Sequence, residues 1–307
     1  MKLLKEVTLI QFKNYTNRKF HFDGNLIAVL GKNGTGKSNL LDAVYYLCFT
    51  KSYFHNKEIF NIQKGTNGFR LSGTFIDTAS QESEDVACVW KEGKKTIYSK
   101  SKIFDKLSAY IGQYCAVMIA PDDIKIINEG GEFRRKFFDG IISQLEPSYL
   151  DALLQYQKIL AQKNAHLKQN LPVNRSRQLV EIYNQQLMES GEVISTKRKE
   201  ITDRISDYVQ GFYHELSGST EQVRIRYMPN IDSGKWAQIQ AYSILRELEI
   251  GRVLSGAHLD DWEFELEGFQ FKHQASQGQK KIVADSAKNG TGQSADRSQQ
   301  DPHPPAG

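Results

Sequence analysis

Gly31-Lys32-Asn33-Gly34-Thr35-Gly36-Lys37-Ser38 fits the pattern G-x-x-x-x-G-K-[ST], the phosphate-binding loop. Each residue type has a physical reason. Glycine lets successive backbone N–H groups turn inward around a polyphosphate without Cβ clashes. Lys37 is placed to reach the β- and γ-phosphates, and the Ser38 hydroxyl to hold Mg2+. The flanks supply the context that the motif requires. Leu26-Ile27-Ala28-Val29-Leu30 is a short apolar run and predicts a buried strand. Leu40, Leu41, Val44 and Leu47 fall at helical spacing after it. The loop therefore reads as a strand-to-helix junction, with a helix N-terminus aimed at the phosphates.

The chain has 307 residues, enough for one large domain or two smaller ones. No run approaches the ~20 apolar residues of a membrane span. The first residues, Met1-Lys2-Leu3-Leu4-Lys5-Glu6, lack the apolar core of a signal peptide. Cys48, Cys88 and Cys115 are too scattered for a metal site and read as inert core residues in a reducing cytosol. A net charge of +4 permits a nucleic-acid partner without arguing for one.

Around the loop, Val7–Phe12 and Arg18–Phe22 read as strands joined by a turn at Asn14-Tyr15-Thr16-Asn17. Phe69, Leu71 and Phe75 alternate with polar residues, as do Val86–Trp90 and Thr96–Tyr98, with a hairpin signal at Lys91-Glu92-Gly93-Lys94. An antiparallel sheet beside a phosphate-loop core is the arrangement of ABC-type ATPases, by analogy of fold. Tyr114–Ala120 predicts a further buried strand. A helical pattern then begins after Pro121-Asp122-Asp123. Phe133, Phe137, Ile141 and Leu145 form one stripe, Pro147 starts a second helix, and Leu171-Pro172-Val173-Asn174 breaks the run. A long stripe follows through Leu179, Ile182, Leu187, Ile194, Ile201, Ile205, Val209, Phe212 and Leu216. The pair of helices fits a projecting antiparallel arm and a compact bundle equally well. Val223, Ile225 and Tyr227 return to strand alternation, and a helix is expected over Trp236–Leu248.

The second informative stretch is Ala275-Ser276-Gln277-Gly278-Gln279-Lys280-Lys281, which resembles the ABC signature Ser-Gly-Gly-Gln. Ser and Gly at a helix start present a hydroxyl and backbone N–H groups to an anion. The same residues also suit a plain polar loop, and the phosphate loop upstream favours the signature. Taken together with Phe12-Lys13-Asn14-Tyr15, Asn39-Leu40-Leu41-Asp42-Ala43, Lys51-Ser52-Tyr53-Phe54, Ala120-Pro121-Asp122-Asp123, Arg134-Arg135-Lys136-Phe137-Phe138-Asp139, Gln162-Lys163-Asn164 and Gly256-Ala257-His258-Leu259-Asp260-Asp261, it makes the chain resemble the RecF family from Leu4 to Lys281. These are recombinational-repair ATPases of the structural-maintenance-of-chromosomes type.

The resemblance implies an α/β fold: an ABC-type P-loop ATPase domain (mixed sheet) with an inserted, mainly helical second lobe. The expected organisation is an ATPase lobe over 1–120, the helical lobe over 121–250, the C-terminal part of the ATPase lobe over 251–281, and a disordered polar tail over 282–307. It also implies ATP and Mg2+ at Gly31, Lys32, Asn33, Gly34, Thr35, Gly36, Lys37 and Ser38, with Ser38 on the metal. Ser276, Gln277, Gly278 and Gln279 would act on nucleotide across an ATP-dependent homodimer. Implied partners are single-strand/double-strand DNA junctions and RecO- and RecR-type proteins, with recombinase loading as the outcome, in the cytoplasm and with no membrane role. Arg134, Arg135, Lys197, Arg198, Lys199, Arg224 and Arg226 are candidate DNA contacts, each of which also suits a solvated face. Two departures stand out. Ala257 and Leu259 replace the Pro and Arg of the family's Gly-Pro-His-Arg-Asp-Asp. From Asp285 to Gly307 there is no Leu, Ile, Val, aromatic or Glu, so no Walker B strand is expected, and the shift reads as a frameshifted or truncated gene end. Whether the chain hydrolyses ATP stays open, and a non-catalytic nucleotide-binding module or inactive remnant is the alternative.

Overall fold

Chain packing divides the computed structural model into a first unit, Met1–Met118, and a second, Ile119–Arg297. Residues 2–300 are described, apart from 100, 101, 105, 170 and 233, with side chains as far as Lys288 save that of residue 102. The first unit contains β1 (Lys2–Phe12), β2 (Tyr15–His21), α1 (Lys37–Phe49), β3 (Gly68–Asp77), β4 (Ser83–Lys91), β5 (Lys94–Ser99) and β6 (Lys102–Ile103). Its sheet runs in the order β2-β1-β3-β4-β5-β6, every pair antiparallel. Period-two alternation and register put Leu9, Leu71, Cys88 and Ile97 in one row and Val7 and Val86 in the next, on one face. Those residues are buried together with Leu40, Ala43 and Leu47 of α1. The β4–β5 hairpin turns at Glu92 and Gly93, both left-handed (φ 50° and 79°), as a two-residue loop with the strand twist demands.

Two stretches expected as strands from their apolar runs join no sheet. Leu26–Leu30 lies outside any ladder, with Leu26 92% and Leu30 90% exposed; Val29 alone of the run packs on the core. Tyr114–Ala120 buries its end residues but leaves Val117 and Ile119 exposed. Apolar content alone does not make a strand without a neighbour to pair with. Of the three cysteines expected in the core, Cys48 and Cys88 are buried, and burial pushes both thiols up to about 12, whereas Cys115 is exposed.

The second unit contains α2 (Lys125–Asn128), α3 (Gly131–Leu145), α4 (Pro147–Leu167), α5 (Val173–Ser217), β7 (Val223–Met228), α6 (Trp236–Ile250), β8 (Asp261–Leu266), β9 (Phe269–Gln270), α7 (Phe271–Gln274) and α8 (Gln277–Gln300). Pro147 opens α4 as expected, and Pro172, in the expected break, stands just before α5. The 45 residues of α5 are packed against α4, α6 and β7 and buried along one side from Ser176 to Tyr213, so the pair forms a packed bundle. The stripe differs from the expected one at its ends, where Leu179, Ile182 and Leu216 are exposed, and in its middle, where Arg198 is buried.

Residues 251–281 were expected to return to the ATPase lobe; they belong instead with the helical segment. The reason is pairing, because β8 is antiparallel to β7 on one side and β9 on the other. The expected disordered tail from 282 is likewise corrected as far as residue 300, which α8 reaches. Val283, Ala284 and Ala287 are buried on one side of it, and Lys288 pairs with Asp123 at 2.5 Å. Residues 301–307 lie outside the described residues.

Arg198 organises this unit. It is 2% exposed and donates to Asp139 of α3, to the Tyr149 hydroxyl of α4 (3.1 Å), and to Ala257 O and Asp260 Oδ2 (2.7 Å each) in the segment before β8. Burial opposes its charge, but Asp139, Tyr149 and Asp260 raise its pKa well above the ordinary value. A second buried pair, Lys163–Glu247 at 2.6 Å, with Asn184 accepting from the same ammonium at 2.5 Å, ties α4 and α5 to α6. The segment between α6 and β8 holds Gly256 at φ 137°, where a Cβ would strike the Tyr156 hydroxyl. That hydroxyl also lies 2.9 Å from Nδ1 of His258. Burial, with Arg135, Lys163 and Arg198 nearby, lowers the His258 pKa from 6.5 to about 4.

The helix α5 offers a paired test of packing. Gly191 faces the Trp236 ring so closely that a Cβ would overlap it, whereas nothing lies within 4 Å of a Cβ at Gly211. Gly191→Ala is expected to destabilise by about 1–3 kcal/mol through overpacking. Gly211→Ala is expected to stabilise by about 0.5–1 kcal/mol through helix propensity. Urea melts of both variants check the opposite signs. For His258, the unfolded chain binds more protons than the folded one between pH 6.5 and 4. Its contribution is therefore present above pH 6.5 and lost as pH falls towards 4, by about 3 kcal/mol. Urea stabilities at pH 7 and pH 4 should show this slope in the native chain and a shallower one in His258→Gln.

Candidate functional site

The loop Gly31–Ser38 leads into α1, which begins at Lys37 with Gly36 as its flanking residue at φ 100°. Gly31 and Gly34 are also left-handed (φ 155° and 81°), conformations that cost glycine little. Thr35 Oγ1 donates to Lys32 O at 2.9 Å and closes the loop on itself. The Lys37 ammonium reaches back over the loop and donates to Gly31 O and Lys32 O, both at 2.8 Å. Ser38 is exposed in the first turn of α1. Among the described residues no side chain caps α1, so its first N–H groups and the positive end of its dipole are left open to an anion, beside Lys37 and Ser38.

The loop is clamped from the β1–β2 turn. Asn14 donates to Thr35 O at 3.2 Å and accepts from Asn39 Nδ2 at 2.8 Å, and the Tyr15 hydroxyl donates to Gly36 O at 3.0 Å. Below it, Asp42 is fully buried. It pairs with Lys13, accepts from Ser52 Oγ at 2.7 Å and accepts from the Tyr53 N–H at 2.7 Å. Residues 12–15, 39–43 and 51–54, which the sequence shows as separate motifs, are thus one support around α1.

Ser276 and Gln279 form a capping box at the start of α8. The Gln279 N–H donates to Ser276 Oγ at 3.2 Å and the Ser276 N–H to Gln279 Oε1 at 2.8 Å. Ser276, Gln277 and Gly278 are exposed, while the Gln279 side chain turns inward to Tyr213 and Glu221.

The basic residues divide sharply. Arg134 forks onto Asp261 (2.6 and 2.8 Å) and donates to Ile126 O and Glu129 O; Arg135 donates to Asp260 O at 2.7 Å. Arg198 is buried, Lys197 pairs with Glu200 at 2.9 Å, and Arg226 bridges Glu263 and Glu265 at 2.7 and 2.6 Å. Only Lys199 and Arg224 of the seven are exposed without an acidic partner among the described residues. What sequence reading missed was Asn14, Asp42 and the inward role of Arg198. The signal for Arg198 was available, since it stands four residues after Ile194 and three before Ile201, on the apolar stripe.

A family model described as an AAA ATPase domain matches residues 1–227. The DNA replication and repair protein RecF of Flavobacterium johnsoniae is 35% identical over 281 residues, 91% of this chain and 77% of that protein. The RecF of Phocaeicola vulgatus is 35% identical over 280 residues, 91% of this chain and 75% of its own length. Among solved structures, a RecF–ATP structure, described as a recombination mediator protein in the RecFOR pathway, matches with a TM-score of 0.91 and 25% identity, covering 98% of this chain and 83% of that one. An Smc head domain from Pyrococcus furiosus, at 14% identity and a TM-score of 0.52, shares the fold. By these likenesses the chain belongs to the RecF family of DNA replication and repair proteins.

Proposed function

We propose that this chain is an ATP-dependent DNA-binding protein of recombinational repair and replication. The observation that carries the reading is the uncapped start of α1, whose first N–H groups adjoin Lys37, folded back over the loop, and the exposed Ser38. A family member of the same fold is described with ATP, which supports ATP as the ligand here. Residues 31–38 would hold its phosphates and Ser38 a Mg2+ ion, which neutralises charge on the transferring phosphoryl group. The chain's own part is to position the phosphates and keep loop and helix start rigid through Asn14 and Tyr15. Among the described residues no strand pairs with residues 26–30. In this reading, Ser276 and the N–H groups of 277 and 278 meet the γ-phosphate held by a second copy of the chain, in an ATP-dependent homodimer. Single-strand/double-strand DNA junctions and RecO- and RecR-type proteins are the proposed partners, and the RecFOR pathway of the solved relative supports them. DNA is held through phosphates, and Lys199 and Arg224 lead the candidates because their charges are not already neutralised.

Lys37→Ala is expected to abolish ATP binding measured by calorimetry, because it removes the cation aimed at the β- and γ-phosphates. Unchanged affinity would place the nucleotide elsewhere. Phosphate release with and without DNA then distinguishes a hydrolysing ATPase from a nucleotide-binding module. DNA binding should weaken steeply with salt and show little sequence preference. Lys199→Ala with Arg224→Ala should lower the slope of log K against log salt by about 2. A slope unchanged in that double variant would move the DNA surface off these residues.

A further inference from the structure

The two polar atoms of the Gln279 side chain make three hydrogen bonds within the protein. Oε1 accepts the Ser276 N–H at 2.8 Å, and Nε2 donates to the Tyr213 hydroxyl at 3.2 Å and to Glu221 Oε2 at 3.0 Å. The amide has one orientation that works, because a backbone N–H only donates and a carboxylate only accepts. Tyr213 is fully buried near the end of α5, and its hydroxyl donates to Glu221 at 2.7 Å. Ser219 Oγ adds another bond to the same carboxylate at 3.0 Å. Hydrogen bonds from Tyr213, then Ser219 and Gln279, hold the Glu221 carboxyl below its usual range. Gln210 of α5 completes the junction, accepting the Val223 N–H at 2.5 Å and donating to Glu221 O at 3.1 Å. Ser276 Oγ, meanwhile, only accepts within the capping box and keeps its own O–H proton for an outside acceptor.

We propose that Gln279 is a positioning residue: its amide locks the Ser276 hydroxyl and the first turn of α8 to the α5–β7 junction and itself touches no nucleotide. The inference rests on the reading of Ser276 as a phosphate donor given above. It assigns Gln279 a role different from the direct one across the dimer that the motif suggests. The charge of Glu221 makes the role testable with an isostere. Gln279→Glu keeps shape and length but sets one carboxylate against another, so the tie of the α8 start to Glu221 is broken. In Gln279→Glu with Glu221→Gln the donors and acceptors are exchanged across the same contact, so the lock re-forms. The titratable groups that face this contact are Glu221 and Tyr213, with His214 one step further through Gln210 (2.5 Å).

Amide hydrogen exchange of the full chain without nucleotide reads the lock directly. At pH 7, exchange over residues 276–280 should rise roughly tenfold in Gln279→Glu, as for one lost charge-assisted bond, and return to the native rate in the double variant. Sedimentation with ATPγS reads the consequence: self-association weakened in Gln279→Glu, restored in the double variant, and recovered in the single variant as pH falls and one proton is shared between the carboxyls. Native exchange in Gln279→Glu, or no rescue in the double variant, would overturn the proposal. Native self-association in the single variant would also overturn it. A native chain that does not associate with ATPγS while the exchange pattern holds would overturn the dimer reading and leave the lock in place. Should Gln279→Glu fail to fold, Gln279→Ala against the double variant gives the same comparison.

Discussion

A guanidinium with almost no access to water dictates the second unit. Burying an unpaired charge costs several kcal/mol, so Arg198 is tolerable only when its donors are met together. Asp139, Tyr149, Ala257 O and Asp260 meet them, and they come from α3, α4 and the segment before β8. Four stretches of chain must therefore be in register at once. The same segment is fixed from its other side by Arg134 on Asp261 and Arg135 on Asp260 O. An apolar side chain of similar volume could fill the space as stably. What the ion network adds is a single arrangement of those stretches.

The first unit has a smaller counterpart in Asp42. A buried carboxylate on α1 collects Lys13, Ser52 and the Tyr53 N–H, and so joins the turn before β2 to the chain leaving α1. Removing any one partner would leave part of a buried charge uncompensated. The turn thus held carries Asn14 and Tyr15 onto the phosphate loop. Support for the loop comes mainly from its helix side, through residues whose spacing in sequence gives no hint that they meet.

Much of the molecule could be read before the structure was known, and the failures share a cause. Period-two alternation located β3, β4 and β5 because a half-buried sheet writes its burial into every second residue. Proline located the start of α4 and the break before α5 because it acts locally, through its missing N–H and fixed φ. The phosphate loop was legible residue by residue for the same reason. Readings that depended on a partner failed. Arg134, Arg135, Arg198 and Arg226 look like a basic surface in sequence, yet each is spent on an acid or carbonyl far along the chain. The stretch after Ile282 looks too polar to pack, yet helical spacing gathers Val283, Ala284 and Ala287 on one side, where they are buried. Average composition hides a narrow apolar stripe.

Leu26–Leu30 states the limit most plainly. Its composition is that of a buried strand, but a strand needs a ladder on at least one side for its N–H and C=O groups and a layer over its side chains. Among the described residues no strand pairs with this run, only Val29 packs on the core, and Leu26 and Leu30 stand almost wholly in water. Covering each would contribute about 1.5–3 kcal/mol, so the run is a source of stability that the first unit does not use. The phosphate loop that follows keeps its geometry nonetheless. Its glycine conformations are local, Thr35 closes it on Lys32, and Asn14, Tyr15 and Asn39 hold it to α1 and the β1–β2 turn. Nucleotide-binding geometry and strand formation are therefore separable in this fold. The first is set within a few residues of Lys37, and the second depends on what lies beside the chain.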